Sequence, residues 1–328
     1  LLKRRRVLIR MAWLVVLMDF RFLRKDNDAG RITLTICLHL AYRLFVFKTI
    51  APCLFSFDIE WIPDPLSAEI LHGVGGEGVQ AYEDGMKRLW AEAGATEEQP
   101  QPYLKTVLCR IVSIAGIFRE VSQGEVKLKL VSLPTDTGDS EKVKEKSILQ
   151  TMLKAIGSRK PQLVGYNSHN ADVPIIIQRS IVNGLFGEGM GERPDKPWEG
   201  VDYFAQSGDF NVDLAPILGR YSQTPKLNEI ATLSGIPGKV DTDGGSVSGM
   251  WLQGDLQGIV NYNEFDAITT HLLWARVAHF GGLLGNEAYE HEQALIRDLM
   301  LKGIAKGKTH FERYIEEWER LQKLIAKR

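Results

Sequence analysis

Asp58 and Glu60 stand two residues apart in the run Phe57-Asp58-Ile59-Glu60-Trp61, inside an apolar stretch that begins at Leu54. A β-strand alternates its side chains between two faces. Phe55, Phe57, Ile59 and Trp61 then share one face, while Ser56, Asp58 and Glu60 share the other. Two carboxylates projecting the same way from a mostly apolar strand repel each other and lose solvation. A divalent cation offsets both penalties, and hard oxygen ligands suit magnesium or manganese. The segment therefore asks for a metal.

Two acidic segments downstream answer it. The strand-like Leu163-Val164-Gly165 empties into the polar turn Tyr166-Asn167-Ser168-His169-Asn170, and Asp172 then starts a predicted helix. An acid in that place also serves as a helix N-cap. In Tyr262-Asn263-Glu264-Phe265-Asp266, the tyrosine and Asp266 are four apart and share one helical face. Ile259, Val260, Phe265, Ile268 and Leu272 form the buried side of that helix. Taken singly, the second segment reads as helix capping, and the third as a surface pair or a core tyrosine with a polar tip. Together they give four acids and a phenol in three separated segments.

The elements that must position these groups follow from periodicity and punctuation. Pro63-Asp64-Pro65 ends the acidic strand, and residues 64–103 read as a polar loop region with one helix, Val79–Ala93. Gly73–Gly78 is glycine-rich but lacks the Lys-Ser/Thr ending of a P-loop, so it is a turn. Thr106–Phe118 and Glu125–Leu133, joined by Ser122-Gln123-Gly124, read as a hairpin. Ser140–Ile156 is an amphipathic helix, Gln162–Tyr166 a short strand, and Pro174–Asn183 a helix ended near Gly184. Residues 186–211 are loop-like. Val212–Leu218, Lys226–Ser234 and Leu256–Phe280 read as helices, and Asn286–Arg328 as a helical pair. Strands first, then helices around one further strand, make an α/β layered domain.

The 328 residues are 44% hydrophobic and 25% charged, as in ordinary globular proteins. Cys37, Cys53 and Cys109 show no metal-ligand spacing, and an odd number of thiols points to a reduced, cytoplasmic protein. Residues 1–50 hold eleven Lys/Arg against three Asp, a net charge of +8, which leaves −9 on the other 278 residues. An acidic body excludes a protein that coats nucleic acid nonspecifically, but not an enzyme that grips one strand end. Lys3-Arg4-Arg5-Arg6 and Val7–Leu17 are interrupted by Arg10, and Ile32–Leu54 by His39, Arg43 and Lys48. Neither is a clean membrane span. Residues 1–50 are therefore read as a basic and apolar extension, of the kind that in-frame translation upstream of a start would also produce.

Taken together, the three segments resemble the DEDD (DnaQ-like) 3′–5′ exonuclease superfamily, with Asp58-x-Glu60, then Asn167 followed by Asp172, then Tyr262-x-x-x-Asp266, in order. The tyrosine points to the DEDDy branch; the histidine form would need His at 261, where Asn261 stands. More closely, the chain is similar to predicted stand-alone exonucleases related to the proofreading domain of family-B DNA polymerases. Matching stretches are Val164–Arg179, Val212-Asp213-Leu214, and Leu227–Lys239 with its Gly235-Ile236-Pro237-Gly238-Lys239. The resemblance spans about residues 54–277, and the long stretch between Trp61 and Tyr103 diverges from it.

The resemblance implies a ribonuclease-H-like mixed β-sheet flanked by helices over residues 51–285, with a helical extension over 286–328. It implies two Mg2+ (or Mn2+) ions and release of 5′-mononucleotides from a 3′ end. Asp58 would bridge both ions, Glu60 and Asp266 would complete the ion on the nucleophile side, and Asp172 would hold the other. Tyr262 would orient the attacking water, Asn167 would bond near the terminal nucleotide, and Lys239 would neutralise phosphate charge. Single-stranded DNA in replication or repair is favoured, with the chain acting alone or beside a separate polymerase or repair partner. The alternatives are an RNase D-like exoribonuclease and a non-catalytic nucleic-acid-binding module on the same fold. Degenerate copies usually lose an acid, and this chain keeps all four and the tyrosine. His169 is read as a solvated loop residue and His271 as a helix-surface residue. Asp213 is read as a structural hydrogen-bonding group, and Trp251, Trp274 and Trp318 as core or interface residues.

Overall fold

The computed structural model describes residues 48–196, 199–205, 208–220, 222–238 and 247–328. The basic N-terminal segment, with both apolar stretches weighed as membrane anchors, lies almost wholly outside the described residues, as does Lys239. No helix among the described residues is long and apolar enough to cross a membrane.

Strand β1 (Cys53–Pro63) carries the acidic run, and its alternation is as expected: Phe55, Phe57 and Ile59 are buried on one face. Asp64-Pro65 stops the strand and starts α1 (Pro65–His72), since proline removes a ladder donor yet suits a first helical turn. The Asp64 side chain caps that helix, accepting from Leu66 N. Helix α1 corrects the sequence reading of residues 64–78 as loop; at eight residues it is too short to build a periodic pattern. Gly73, at a φ of 67°, closes it in the left-handed conformation open to glycine. Helix α2 (Val79–Glu92) follows as expected.

The hairpin β2 (Cys109–Ser122) and β3 (Glu125–Leu133) turns at Gln123-Gly124, both at positive φ. Helix α3 spans Glu145–Arg159, five residues later than the expected start at Ser140. Asp136 and Asp139 accept from the backbone of Gly138 and Glu141, which offers that segment an alternative to helix. Strand β4 (Gln162–Gly165) leads to α4 (Asp172–Val182). Val212, expected in a helix, instead lies in β5 (Asn211–Asp213), which pairs with β4; helix α5 (Leu214–Gly219) begins only after it. Helices α6 (Leu227–Leu233), α7 (Val247–Leu252), α8 (Leu256–Phe280), α9 (Asn286–Ile304) and α10 (His310–Ile325) complete the chain.

The sheet order is β3-β2-β1-β4-β5, with the first three strands antiparallel and β4 and β5 parallel to β1. This is the ribonuclease-H-like arrangement. One face packs Phe55, Phe57 and Phe118 against Ile148, Met152, Ile156 and Ile175 of α3 and α4. Gly116 makes room there, because a Cβ at that place would sit 2.3 Å from the Phe55 ring. The other face packs Ile117 against Phe265, Ile268 and Leu272 of α8 and, behind them, Ile296, Phe311, Tyr314 and Trp318 of α9 and α10. Trp274 is fully buried and Trp251 packs on Tyr82, so these tryptophans are core and interface residues as read.

Two buried ionic networks tie the layers. Arg179 of α4 bonds Asp64 at 2.8 Å and Glu145 at 2.6 Å, and Glu145 also accepts from Ile111 N at 2.8 Å. One guanidinium thus joins α4, the α1 cap, the first turn of α3 and β2. Arg179→Ala should destabilise the protein by about 3–5 kcal/mol in urea denaturation, because it strands two buried carboxylates. On the other face Arg119 bonds Glu292 at 2.6 Å, and His271 bonds Ser56 Oγ at 3.0 Å and lies 3.6 Å from Glu292. His271 is therefore a core histidine, not the surface residue expected. Burial holds it below its ordinary value despite Glu292, so it stays neutral.

Candidate active site

Strand length creates the site. The parallel pairing of β1 with β4 covers only Leu54–Ser56 against Gln162–Val164. Asp58 and Glu60 lie beyond the point where β4 leaves the sheet, so the flank of β1 opens into a cleft. A crevice at the carboxyl end of strands, where the chain departs, is the usual place for a ligand in an open sheet. On its other flank β1 stays paired, Asp58 opposite Ala115 and Glu60 opposite Ser113. A bulge then shifts the register between Glu60 and Trp61.

The departing chain turns sharply at Gly165, where a Cβ would stand 2.4 Å from that of Ser168. Asn167 takes a positive φ of 59°, a conformation asparagine tolerates better than most residues. Asp213 pins this turn, accepting from Asn167 N at 2.7 Å and His169 N at 3.0 Å, and from Ala215 N at 3.0 Å. That is the structural role read for Asp213. His169 is exposed, as read. Asp172 then opens α4 as its first residue and is buried. The residue that flanks the helix is Ala171, which supplies no side-chain cap. Helix α8 lies across the opposite face of the sheet from α4, the face of Ser56 and Ile117, and brings Tyr262 and Asp266 over β1.

The three segments meet. Carboxylate oxygens of Asp58, Glu60 and Asp266 all lie within 4.8 Å of one another. Asp172 stands outside this group of three, yet near enough for its charge to act on Asp58. Burial, followed by the charges of Asp172, Asp266 and Glu60, holds the Asp58 carboxyl well above its ordinary value. Among the described residues, every charge acting on it is negative. Burial pushes Asp172 up to about 7, Asp213 adds to this, and the backbone N–H groups of Asp172 and Ile59 oppose it. Tyr262 bonds Asp266, and burial together with the neighbouring acids keeps its phenol protonated. It is a hydrogen-bonding group rather than a base.

These donors fit a divalent cation. All are hard carboxylate oxygens, three are close enough to share one ion, and the most crowded acid feels no cationic side chain among the described residues. Asp58, Glu60 and Asp266 would form the first ligand set, with Asp172 extending it from Asp58.

The cleft beside the acids has a volume of about 570 Å³, and Asn167 is among the residues that line it. It also contains groups that the sequence reading did not select: Trp61, Tyr103, Tyr166 and Lys226. Tyr166 donates to Pro225 O, which holds the loop before α6 against the turn after β4. Lys226 is exposed at the rim, a cation facing an acidic floor. The nearest sequence signal for these residues was position alone, since each adjoins a motif or a strand start.

Comparison with curated proteins returns no match. A solved structure, that of the family B DNA polymerase from the hyperthermophilic archaeon Pyrobaculum calidifontis, is similar over 70% of this chain at 16% identity, with a TM-score of 0.41. The chain spans 24% of that polymerase. Residues 101–318 match the family described as predicted 3′–5′ exonucleases related to the exonuclease domain of PolB, a match that begins after the strand bearing Asp58 and Glu60. With two thirds of its length matched, and with both helix-borne acids and the tyrosine inside the match, the chain belongs to this family of predicted 3′–5′ exonucleases.

Proposed function

We propose that the protein hydrolyses phosphodiester bonds at the 3′ end of single-stranded DNA, releasing 5′-mononucleotides with two Mg2+ or Mn2+ ions. The observation that carries this reading is the convergence of Asp58, Glu60 and Asp266, with Asp172 acting on Asp58, in a cleft whose most crowded acid feels only negative charge among the described residues. When bound, the ions would supply Lewis-acid stabilisation of the phosphoryl oxygens and lower the pKa of water. Asp58, Glu60, Asp172 and Asp266 would hold them. Tyr262, neutral and bonded to Asp266, orients the attacking water through its hydroxyl. Lys226 at the rim draws the phosphate backbone toward an acidic floor that would otherwise repel it. Asn167 contacts the terminal nucleotide, its side-chain oxygen already fixed by Asn170 at 2.9 Å. A separate polymerase or repair protein is the partner such an activity would serve.

The test is mononucleotide release from end-labelled oligonucleotides in Mg2+ or Mn2+. DNA with a free 3′ end should be degraded, and DNA with a blocked 3′ end should not. A matched RNA strand should be cut more slowly; equal or faster cleavage of RNA would overturn the DNA assignment. Tyr262→Phe should lower kcat about ten- to a hundredfold with KM and melting temperature unchanged, the size expected for losing one hydrogen bond to a charged group.

A further inference from the structure

We infer that Glu264 is a positioning residue: its bonds to Ser132, Lys308 and His310 hold the turn of α8 that carries Tyr262 and Asp266 level with Asp58. The inference rests on the reading of the cleft as a metal-dependent nuclease site. Glu264 is fully buried. One carboxylate oxygen accepts from Ser132 Oγ and Lys308 Nζ, and the other accepts from His310 Nε2 at 2.8 Å. Burial works against its charge, but these donors offset that and hold it below its ordinary value. They come from β3, from the turn between α9 and α10, and from the first residue of α10. A well-packed apolar side chain often serves a core site as well as a buried ion does. A charge kept here, with each of these bonds directed to another element, suits the fixing of a geometry.

Angle and level give the residue its role. At about 3.6 residues per turn, a residue two positions from both Tyr262 and Asp266 lies on the opposite side of the helix. Glu264 therefore grips the back of the turn whose front faces the acids. Across the sheet, Asp58 pairs with Ala115, and Ala115 with Ser132. Residues directly opposite one another project to the same face, so these three form one row. The Ser132 bond thus ties α8 at the height of Asp58. Lys308 and His310 tie it from the α9–α10 side, and their own places are fixed. Gly307 turns at a φ of 94°, and Lys308 N bonds Gly303 O at 3.0 Å. The Phe311 ring packs where a Cβ on Gly303 would stand 2.8 Å from it. Among the described residues, Asn263 beside Glu264 is fully buried yet finds no hydrogen-bond partner, and Tyr262 bonds within the helix. Displacing reacting groups by about 1 Å can cost about 100-fold in rate, which is the scale on which this tie acts.

The test uses the full chain, with Mn2+ binding followed by calorimetric titration beside nucleotide release. Glu264→Leu removes the tie without stranding a buried cation, since the Lys308 side chain is 42% exposed. It should lower kcat about 10- to 100-fold with KM unchanged and weaken Mn2+ binding by a similar factor, the scale for groups that support metal ligands. Glu264→Gln still accepts from Ser132 and Lys308 and should recover most of both readouts. Lys308→Met leaves α8 untouched and should move both the same way by a smaller factor; it decides the matter if the leucine variant does not fold. If wild type releases nucleotide while Glu264→Leu keeps its kcat and its Mn2+ affinity, the positioning role is overturned and the hydrolase reading stands. A lowered melting temperature with both readouts unchanged marks a merely structural residue and overturns the role equally. If wild type binds Mn2+ but releases nothing, the hydrolase reading falls; the positioning role then stands if Glu264→Leu weakens binding and falls if it does not. If wild type neither binds Mn2+ nor releases nucleotide, both fall.

Discussion

Asp58→Asn should abolish nucleotide release, with a loss of at least about 1,000-fold in kcat. Asp58 sits between Glu60, Asp172 and Asp266, and all three act on it. It is therefore the residue whose removal dismantles every ligand set at once. Loss of several kcal/mol of metal-derived charge stabilisation corresponds to three or more powers of ten in rate. Asp266→Asn should do the same, since it removes both a ligand and the hydrogen-bond partner of Tyr262. The fold should survive both changes, because asparagine preserves shape and relieves repulsion. Activity within tenfold of wild type in either variant would refute the site.

Divalent metal should raise the melting temperature by roughly 5–10 °C. Saturation at about a hundredfold above Kd contributes about 2.7 kcal/mol, and a domain of this size gains about 2–4 °C per kcal/mol. The metal-free protein should carry the opposite signature. Burial and neighbouring acids hold Asp58 well above the carboxylate range, and Asp172 up at about 7. The folded chain therefore keeps protons that the unfolded chain releases from about pH 4 upward. Metal-free stability falls as pH rises from there through about 7, and added Mg2+ restores it. Metal-free Asp58→Asn should melt higher than metal-free wild type and respond less to Mg2+. Differential scanning fluorimetry across pH, with and without metal, reads all of this. A melting temperature indifferent to Mg2+ and Mn2+ would sink the metal site.

Much of the site could be read from residue types because its chemistry depends on local pattern. Asp58 and Glu60 share a strand face through simple alternation. Tyr262 and Asp266 share a helix face in Leu256–Phe280, a span the structure reproduces, with Asp255 capping it and Gly281 following it. What escaped was set by contacts distant in sequence. His271 looked like a surface residue, yet its partners are Ser56, 215 residues away, and Glu292 on another helix. Val212 looked helical because three residues of strand between two other elements leave no period to count. Helix α1 escaped for the same reason. Trp61, Tyr103 and Lys226 enter the cleft only once β1, the divergent insert and the loop before α6 are folded together. No spacing rule links positions 61, 103 and 226.

The pairing of Arg119 with Glu292, beside His271, has a consequence for anyone wishing to trim this protein. Ending the chain at residue 285 would strip the cover from Phe265 and Ile268, next to Asp266, and leave a guanidinium behind the sheet without its counter-charge. The last forty residues act as a back plate for the very helix that lowers two reactive groups into the cleft. A minimal domain cut from this scaffold must therefore keep helices α9 and α10.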